Sequence, residues 1–134
     1  MMKLLVTGAN GLLGQKLVSL SASLQEISFI ATSRGENRNL PGKYEYRKLD
    51  VTSREEVSTV LKEINPDVVI NCAAMTHVDQ CETHQEACWS QNVTALEYLI
   101  EGCIEANALL IQLSTDFIFD GLAGPYAEEA LAHP

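Results

Sequence analysis

Three glycines at intervals of three residues, Gly8, Gly11 and Gly14, follow a short apolar run near the start of the chain. The run at 4–6 predicts a buried strand, and a helical pattern begins after the glycines. Such a turn directs free backbone N–H groups and a helix N-terminus at one point, which favours an anion such as a pyrophosphate. We expect Gly8 to allow the tight turn, Gly11 the close approach of phosphate, and Gly14 the packing of helix on strand. The alternative is a strand–helix turn without a ligand, because glycine triplets are common.

The residues after the second predicted strand bear on which dinucleotide such a turn would hold. Folds of this kind place an acidic residue there to bind a ribose 2′-hydroxyl, but this chain has Ser33 and Arg34. A guanidinium favours a 2′-phosphate, so NADP is the expected cofactor and NAD the second choice. Because Glu36 and Arg38 lie nearby, the alternative for Arg34 is an ordinary solvated charge in a polar loop.

Small and polar residues also follow the third and fourth predicted strands. Asp50 and Val51 are placed to contact an adenine. The Asp50 carboxylate would accept a hydrogen bond from the adenine amino group. The alternative is a plain lead-in to the next helix, where Asp is frequent. Ala73 and Ala74 are small enough to let a cofactor lie against the backbone.

Two hydroxyls and a carboxylate, Ser114-Thr115-Asp116, follow the fifth predicted strand. A hydroxyl at a strand end can hydrogen-bond a substrate carbonyl and help polarise it for hydride attack. The alternative is a local Asx or Ser/Thr turn, in which these side chains satisfy their own backbone.

A second group of reactive side chains, His77, Cys81, His84 and Cys88, falls at helical intervals. Ligands spread over three turns of one helix cannot converge on a single ion at bond lengths of about 2.0–2.3 Å, so we expect no metal site. With Cys103 and Cys72 the chain has four cysteines and no Cys-x-x-Cys, and we expect reduced thiols.

Composition limits the class of protein. The 134 residues, 46% of them hydrophobic and 20% charged, are enough for one globular domain. The net charge of −9 argues against nucleic acid and against an anionic membrane as partners. The sequence begins directly with a predicted strand and has no apolar run of membrane-spanning length, so we expect a cytoplasmic protein.

The order of predicted elements indicates the fold class. Strands are predicted at 3–7, 27–32, 44–49, 67–72 and 109–113. Helices are predicted at 11–22, at 54–64 after a cap at Ser53, and at 85–106. A capping box joins Ser53 to Glu56, and 120–134 reads as a loop. Alternating strands and helices predict an α/β fold with a doubly wound parallel sheet, its functional residues at the carboxyl ends of the strands.

Four segments together resemble a known family. Residues 6–14 (VTGANGLLG), 71–82 (NCAAMTHVDQCE), 91–93 (QNV) and 114–121 (STDFIFDG) are similar to the dTDP-4-dehydrorhamnose reductases, extended short-chain dehydrogenases/reductases with a Rossmann-like NAD(P)-binding fold. The resemblance runs from the first strand to the last residue. It implies reduction of the 4-keto group of a nucleotide-linked deoxysugar by NADPH or NADH.

The resemblance also assigns roles to residues. Thr115 matches the catalytic hydroxyl, Ser114 lies beside the substrate, and Asn92 matches an asparagine that supports the site from its helix. The matching cofactor positions are Gly8, Asn10, Gly11, Leu12 and Gly14 at the phosphates, Asp50 and Val51 at the adenine, and Ala73, Ala74, Met75 and Thr76 along the ribose and nicotinamide.

One departure separates the chain from the family pattern. The family's proton donor is a tyrosine followed four residues later by a lysine, but Tyr126 is followed at that spacing by Ala130. The family places this pair, a sixth strand and the sugar-binding region beyond the position of Pro134. We therefore expect 1–134 to be one incomplete NAD(P)-binding domain, the cofactor half of an enzyme, and to be inactive alone.

Other assignments remain open. The regulatory subunit of methionine adenosyltransferase is similar to the family, binds NADP and acts as a partner protein rather than as a catalyst. A third reading is a nucleotide-sugar epimerase or dehydratase on the same fold. Dehydration would need an extra acid–base pair near Thr115, but Asp116 is followed by Phe117 rather than by a glutamate, which argues weakly against it. A nucleotide sugar is the expected partner, and a homodimer is left open.

Overall fold

The computed structural model describes residues 1–134. It contains five strands, β1 (Met2–Thr7), β2 (Ile27–Ser33), β3 (Glu45–Lys48), β4 (Val68–Asn71) and β5 (Leu109–Gln112). Its α-helices are α1 (Leu12–Leu20), α2 (Arg54–Ile64), α3 (Val78–Thr83), α4 (Gln85–Trp89) and α5 (Ala95–Ala106). Short 3-10 turns at Ser21–Ser23 and Asp116–Ile118 and a π-helical turn at Ser90–Thr94 complete the regular structure.

The five strands form one parallel sheet in the order β3-β2-β1-β4-β5. The chain moves outwards from β1 to β3, then crosses back to β4 on the other side of β1. This reversal confirms the predicted doubly wound α/β fold, and it opens a crevice beside the carboxyl end of β1. The first glycine turn lies at that point.

Apolar side chains cover both faces of the sheet, as alternation along the strands requires. On one face, Leu5 and Ile30 belong to a cluster of eleven buried residues that includes side chains from α2 and α5. On the other face, Leu4, Val6 and Phe29 belong to a cluster of six, to which α1 contributes Val18. The two clusters hold the strand ends in place around the crevice.

The start of α2 follows its predicted cap, with one difference. Ser53 Oγ accepts a hydrogen bond from the Glu56 N–H at 3.3 Å. The Glu56 carboxylate, however, accepts from the Asp50 N–H at 2.9 Å rather than from Ser53. The Ser53 N–H is already bonded to Asp50 O at 3.0 Å, so the predicted reciprocal bond is wrong and the glutamate reaches one turn further back.

The helix predicted at 85–106 has the predicted bounds, but α4 and α5 within it are joined by the π-helical turn at Ser90–Thr94. The structure has α3 before it, a break at His84, then α4, the π-helical turn and α5. At the end of α3 the Thr83 hydroxyl donates to Asp79 O at 2.9 Å, a side-chain bond that competes with helix continuation. None of the helices has the length and apolarity that a membrane span requires.

The expectation of four reduced cysteines is wrong for one pair. Cys81 on α3 and Cys88 on α4 are joined by a disulfide, whereas Cys72 and Cys103 are free. The break at His84 is the physical reason, because it folds α4 back so that the two Cα atoms are 5.1 Å apart.

Candidate dinucleotide-binding site

The glycine turn between β1 and α1 is tightly packed. Gly8 has φ +63°, which favours glycine, and a Cβ there would lie 2.7 Å from the backbone nitrogen of Ala73. A Cβ on Gly14 would lie 2.6 Å from Cα of Ala9 and closer still to Gly8 O. The turn can therefore bring β1, α1 and the chain after β4 together only with glycines at these two positions.

The N-terminus of α1 is open. Its cap residue, Gly11, offers no side chain, and the first turn contains no acidic residue. The first helical bond runs from the Gln15 N–H to Gly11 O, so the N–H groups of Leu12, Leu13 and Gly14 have no acceptor in the chain. A Cβ on Gly11 would meet only Gly8 O, at 3.2 Å, which leaves the space over this residue clear. Three free donors, a helix dipole and clear space fit a phosphate group.

A cavity of about 560 Å³ opens beside this turn. It brings together nine of the residues singled out in the sequence: Gly8, Asn10, Gly11, Arg34, Val51, Ala73, Ala74, Met75 and Thr76. Seven further residues line it: Ser33, Leu49, Cys72, His77, Gln80, Ala87 and Gln91. Ser33 was already named beside Arg34 in the sequence, and Leu49 and Cys72 lie at the carboxyl ends of their strands, where the strand-end rule could have found both. Gln80, Ala87 and Gln91 lie on the helical segments after β4, to which the strand-end rule does not apply.

Six of the predicted residues do not line this cavity. They are Leu12, Gly14, Asp50, Asn92, Ser114 and Thr115. Leu12 is 92% exposed, so its contribution to the turn is limited to its backbone N–H. The Asp50 carboxylate accepts from the N–H and the hydroxyl of Thr52, at 2.9 and 2.7 Å, which matches the helix lead-in alternative. The neighbouring Val51, buried in the larger cluster, is the one of the pair that reaches the cavity.

Asn10 ties the glycine turn to the loop after β2. Its Nδ2 donates to Glu36 O at 2.8 Å, and its Oδ1 accepts from the Arg38 N–H at 3.0 Å. The Asn10 amide therefore holds this loop rather than pointing freely towards a ligand. Its structural effect is to fix 36–38 against the turn.

Arg34 lies on the same loop at the mouth of the cavity. The hydroxyl of Tyr46 donates to Gly35 O at 2.6 Å and so braces the backbone next to Arg34. Arg34 is exposed and makes no ion pair, whereas Lys48 nearby is paired with Glu36. A free guanidinium held by a braced backbone is suited to bind an additional anion at this point.

Asn92, in the π-helical turn, supports the cavity wall from behind. Its Oδ1 accepts from the Met75 N–H at 2.8 Å and its Nδ2 donates to Met75 O at 3.0 Å. The asparagine thus contacts the segment that lines the cavity, and its effect on a ligand would pass through Met75.

The segment after β5 forms a local turn. Thr115 Oγ1 accepts from the Phe117 N–H at 3.3 Å and starts the short 3-10 turn, as in the Ser/Thr-turn alternative. Ser114 and Thr115 are exposed at the carboxyl end of the sheet, next to but outside the cavity lining. Their hydroxyls are accessible there to a molecule lying over the strand ends.

Buried polar contacts join the strand ends beneath the cavity. Thr7 on β1 donates to Oδ1 of Asn71 on β4, and Asn71 Nδ2 donates to Oε1 of Gln112 on β5 at 2.7 Å.

Burial raises the pKa of the Cys72 thiol in the cavity wall. No group of three or more His, Cys, Asp or Glu side chains is arranged to hold a metal ion.

The parallel sheet, the glycine turn and the cavity at the chain reversal define a Rossmann-like α/β domain. The family model described as RmlD substrate binding domain matches residues 2–134. The chain belongs to this family.

Two curated relatives illustrate the range of the family. The whole chain aligns at 34% identity with 42% of the dTDP-4-dehydrorhamnose reductase of Aggregatibacter actinomycetemcomitans. Methionine adenosyltransferase 2 subunit beta of Xenopus laevis is 32% identical over 97% of the chain and 37% of that protein. The chain thus spans about two-fifths of the length of the curated relatives it matches.

Solved structures agree with the sequence relatives. A dTDP-4-dehydrorhamnose reductase from Clostridium acetobutylicum superposes with a TM-score of 0.83 at 33% identity, covering 99% of this chain and 43% of that one. The Bacillus anthracis reductase, solved in complex with NADP, has a TM-score of 0.69 at 28% identity, covering 92% of this chain and 40% of that one.

Proposed function

We propose that residues 1–134 form the cofactor-binding part of an NADPH-dependent reductase that acts on the 4-keto group of a nucleotide-linked deoxysugar. The observation that carries the proposal is the open N-terminus of α1, whose three free N–H donors face clear space over Gly11. The similarity to the dTDP-4-dehydrorhamnose reductases supplies the substrate class.

In this proposal the α1 N-terminus holds the pyrophosphate, and the small residues Ala73 and Ala74 let the rest of the cofactor lie along the strand ends. Bound NADPH would supply a hydride. Arg34 would hold the 2′-phosphate, because it is the unpaired cation at the cavity mouth. NADH remains the second choice, since the pyrophosphate contacts are the same for both cofactors.

Thr115 and Ser114 take the substrate side of the proposal. Both hydroxyls are exposed beside the cavity. The Thr115 hydroxyl donates to Asp116 Oδ1 at 3.3 Å, a long and exposed bond that it would exchange for the substrate carbonyl oxygen. Tyr126 is not suited to donate the proton, because its hydroxyl already donates to Asp120 at 2.6 Å and no lysine follows it at four residues. We therefore place the proton donor in a further part of a longer protein.

Cofactor binding is the first test. Titration of the purified protein with NADPH and NADH, followed by nucleotide fluorescence or calorimetry, should show binding of both and tighter binding of NADPH. Gly11→Val should abolish binding by filling the space over the turn, whereas Gly35→Ala, in open space, should not change it. Binding that survives Gly11→Val would contradict the assignment of the phosphate site.

Turnover is the second test. Residues 1–134 alone should show no ketosugar-dependent oxidation of NADPH, and a longer protein that contains them should. Measurable turnover by the isolated residues would show that the chain has its own proton donor.

A regulatory role is the second candidate, favoured by the 32% identity to a methionine adenosyltransferase subunit. In that case the protein would bind NADP, co-purify with a synthetase and turn over no ketosugar. The presence of the Thr115 hydroxyl at the strand end favours the reductase.

A further inference from the structure

Cys81 and Cys88 are brought together by a break in the helical segment. On one continuous α-helix, residues seven positions apart are separated by about 10.5 Å along the axis. The break at His84 reduces the Cα–Cα distance to 5.1 Å, within the range of about 4.4–6.8 Å that a disulfide requires. The pair therefore depends on the relative position of α3 and α4.

The same two helices form one side of the cavity. Gln80 of α3 and Ala87 of α4 both line it, each adjacent in sequence to one of the bonded cysteines. The disulfide thus crosslinks the two helices at the point where they meet the cavity.

Both sulfurs also touch the Asn92–Met75 contact. Cys88 Sγ accepts from Asn92 Nδ2 at 3.3 Å, and the same Nδ2 donates to Met75 O at 3.0 Å. Cys81 Sγ lies 3.6 Å from Met75 O. As a thiol, Cys81 gains an S–H donor that can compete with Asn92 for this carbonyl. The redox state of the pair and the position of Met75 are therefore coupled through one carbonyl oxygen.

The two bonded cysteines are accessible to a small reagent. Cys81 and Cys88 are both partly exposed, as is Cys72, whereas Cys103 is 3% exposed within the larger apolar cluster. Burial raises the pKa of the Cys72 and Cys103 thiols, which lowers their thiolate fraction. Cys81 and Cys88 are the pair that the fold joins in a disulfide, and Cys72 and Cys103 are free.

We propose that Cys81 and Cys88 form a reversible thiol–disulfide site that controls the cavity wall at Met75. The oxidant is a low-molecular-weight disulfide. The thiolate of one cysteine attacks it, forms a mixed disulfide and releases one small thiol; the second cysteine then attacks the mixed disulfide and releases the other. Two protein thiols become one disulfide, and one small disulfide becomes two small thiols, so electrons and protons balance.

The effect on nucleotide binding rests on the proposed function of the cavity. The disulfide holds α3 and α4 against each other and leaves Met75 O to Asn92. We expect reduction to raise the Kd for NADPH about fivefold, roughly the loss of one hydrogen bond.

The experiment equilibrates the purified protein in buffers of oxidised and reduced glutathione. Thiol counting and peptide mapping should show four free thiols under reducing conditions and two under oxidising conditions, with Cys81 linked to Cys88. Hydrogen–deuterium exchange over 74–92 should be slower in the oxidised protein, and the NADPH Kd should be about fivefold lower. Cys81→Ser and Cys88→Ser should remove the redox dependence of exchange and Kd, whereas Cys103→Ala should keep it.

The readouts separate this proposal from the proposed function. A pair that stays reduced throughout, or a disulfide that changes neither exchange nor Kd, would overturn it. If the protein binds no nucleotide in either state, the cofactor assignment fails, while exchange over 74–92 still decides whether the pair controls the wall.

Discussion

The hydroxyl of Thr7 donates a hydrogen bond to Oδ1 of Asn71, and both side chains are buried where β1 and β4 end. The Ala73 N–H donates to the same oxygen at 3.2 Å, and Asn71 Nδ2 continues the contact to Gln112 on β5. One chain of polar contacts thus crosses three neighbouring strands beneath the cavity. Since buried polar groups need partners, these contacts constrain the relative position of the strand ends.

Thr7→Val should therefore lower the free energy of unfolding by about 1–2 kcal/mol, because Asn71 Oδ1 loses one of its two buried donors. Urea denaturation measures the change. The matched control is Thr59→Val, whose side chain is exposed on α2, and its effect should stay below about 0.5 kcal/mol. Equal losses in both variants would contradict the importance of the buried contact.

Gly14→Ala should destabilise the protein although alanine is the better helix former. A Cβ at this position meets backbone atoms of Gly8 and Ala9, which cannot move without opening the turn. We expect the clash, about 1–3 kcal/mol, to exceed the propensity gain of up to about 1 kcal/mol. Thermal or urea unfolding would test this, with Gly35→Ala, in open space, as the neutral control. An unchanged or raised stability of Gly14→Ala would show that the turn can relax.

Arg34→Gln should change the choice of cofactor rather than binding in general. If its free guanidinium meets the 2′-phosphate, the Kd for NADPH should rise about tenfold and the Kd for NADH should stay the same. Arg54→Gln is the control, since that arginine pairs with Glu101 on the α2–α5 side. Equal weakening for NADPH and NADH would assign Arg34 a structural role.

Acid should release the loop around Asp120 only at low pH. Tyr126 Oη donates to the Asp120 carboxylate at 2.6 Å, and with the Leu122 N–H it holds the pKa of Asp120 below its ordinary 3.8. A lowered folded-state pKa stabilises the fold above the unfolded-state value, and that stabilisation is lost as pH falls through the folded-state pKa. An NMR titration of the carboxyl carbon should give a midpoint below 3.8, raised by Tyr126→Phe and not by Tyr44→Phe. A midpoint that does not move in Tyr126→Phe would exclude the tyrosine as the cause.

Much of the fold could be predicted because the strands are marked by local signals. The run before Gly8, the cap at Ser53 and the apolar segment before Cys72 each depend on neighbouring residues, so the succession of strands and helices along the chain follows from them. The start of a helix at Gln85 was predicted, but α3 before the break at His84 was not, because its six residues are too few to show a helical apolar pattern.

The cavity-lining residues that come directly after strands, such as Gly8, Val51 and Ala73, could be predicted from the rule that functional residues lie at the carboxyl ends of parallel strands. Side-chain roles were harder to predict, because they depend on partners distant in sequence. Asn10 bonds to the loop at 36–38, and Asn92 bonds to Met75, seventeen residues away. The disulfide was missed for the same reason, since a thiol's partner is decided by the path of the backbone between them.

The unequal size of the two apolar clusters has a consequence for how the domain comes apart. The face covered by α1 is held by six buried residues, against eleven on the face covered by α2 and α5. Partial unfolding should therefore begin with detachment of α1, the helix whose N-terminus forms the proposed phosphate site. A nucleotide bound there would raise the free energy of unfolding of this face by RT ln(1 + [L]/Kd), where [L] is the free nucleotide concentration. Cofactor binding would thus also stabilise the fold.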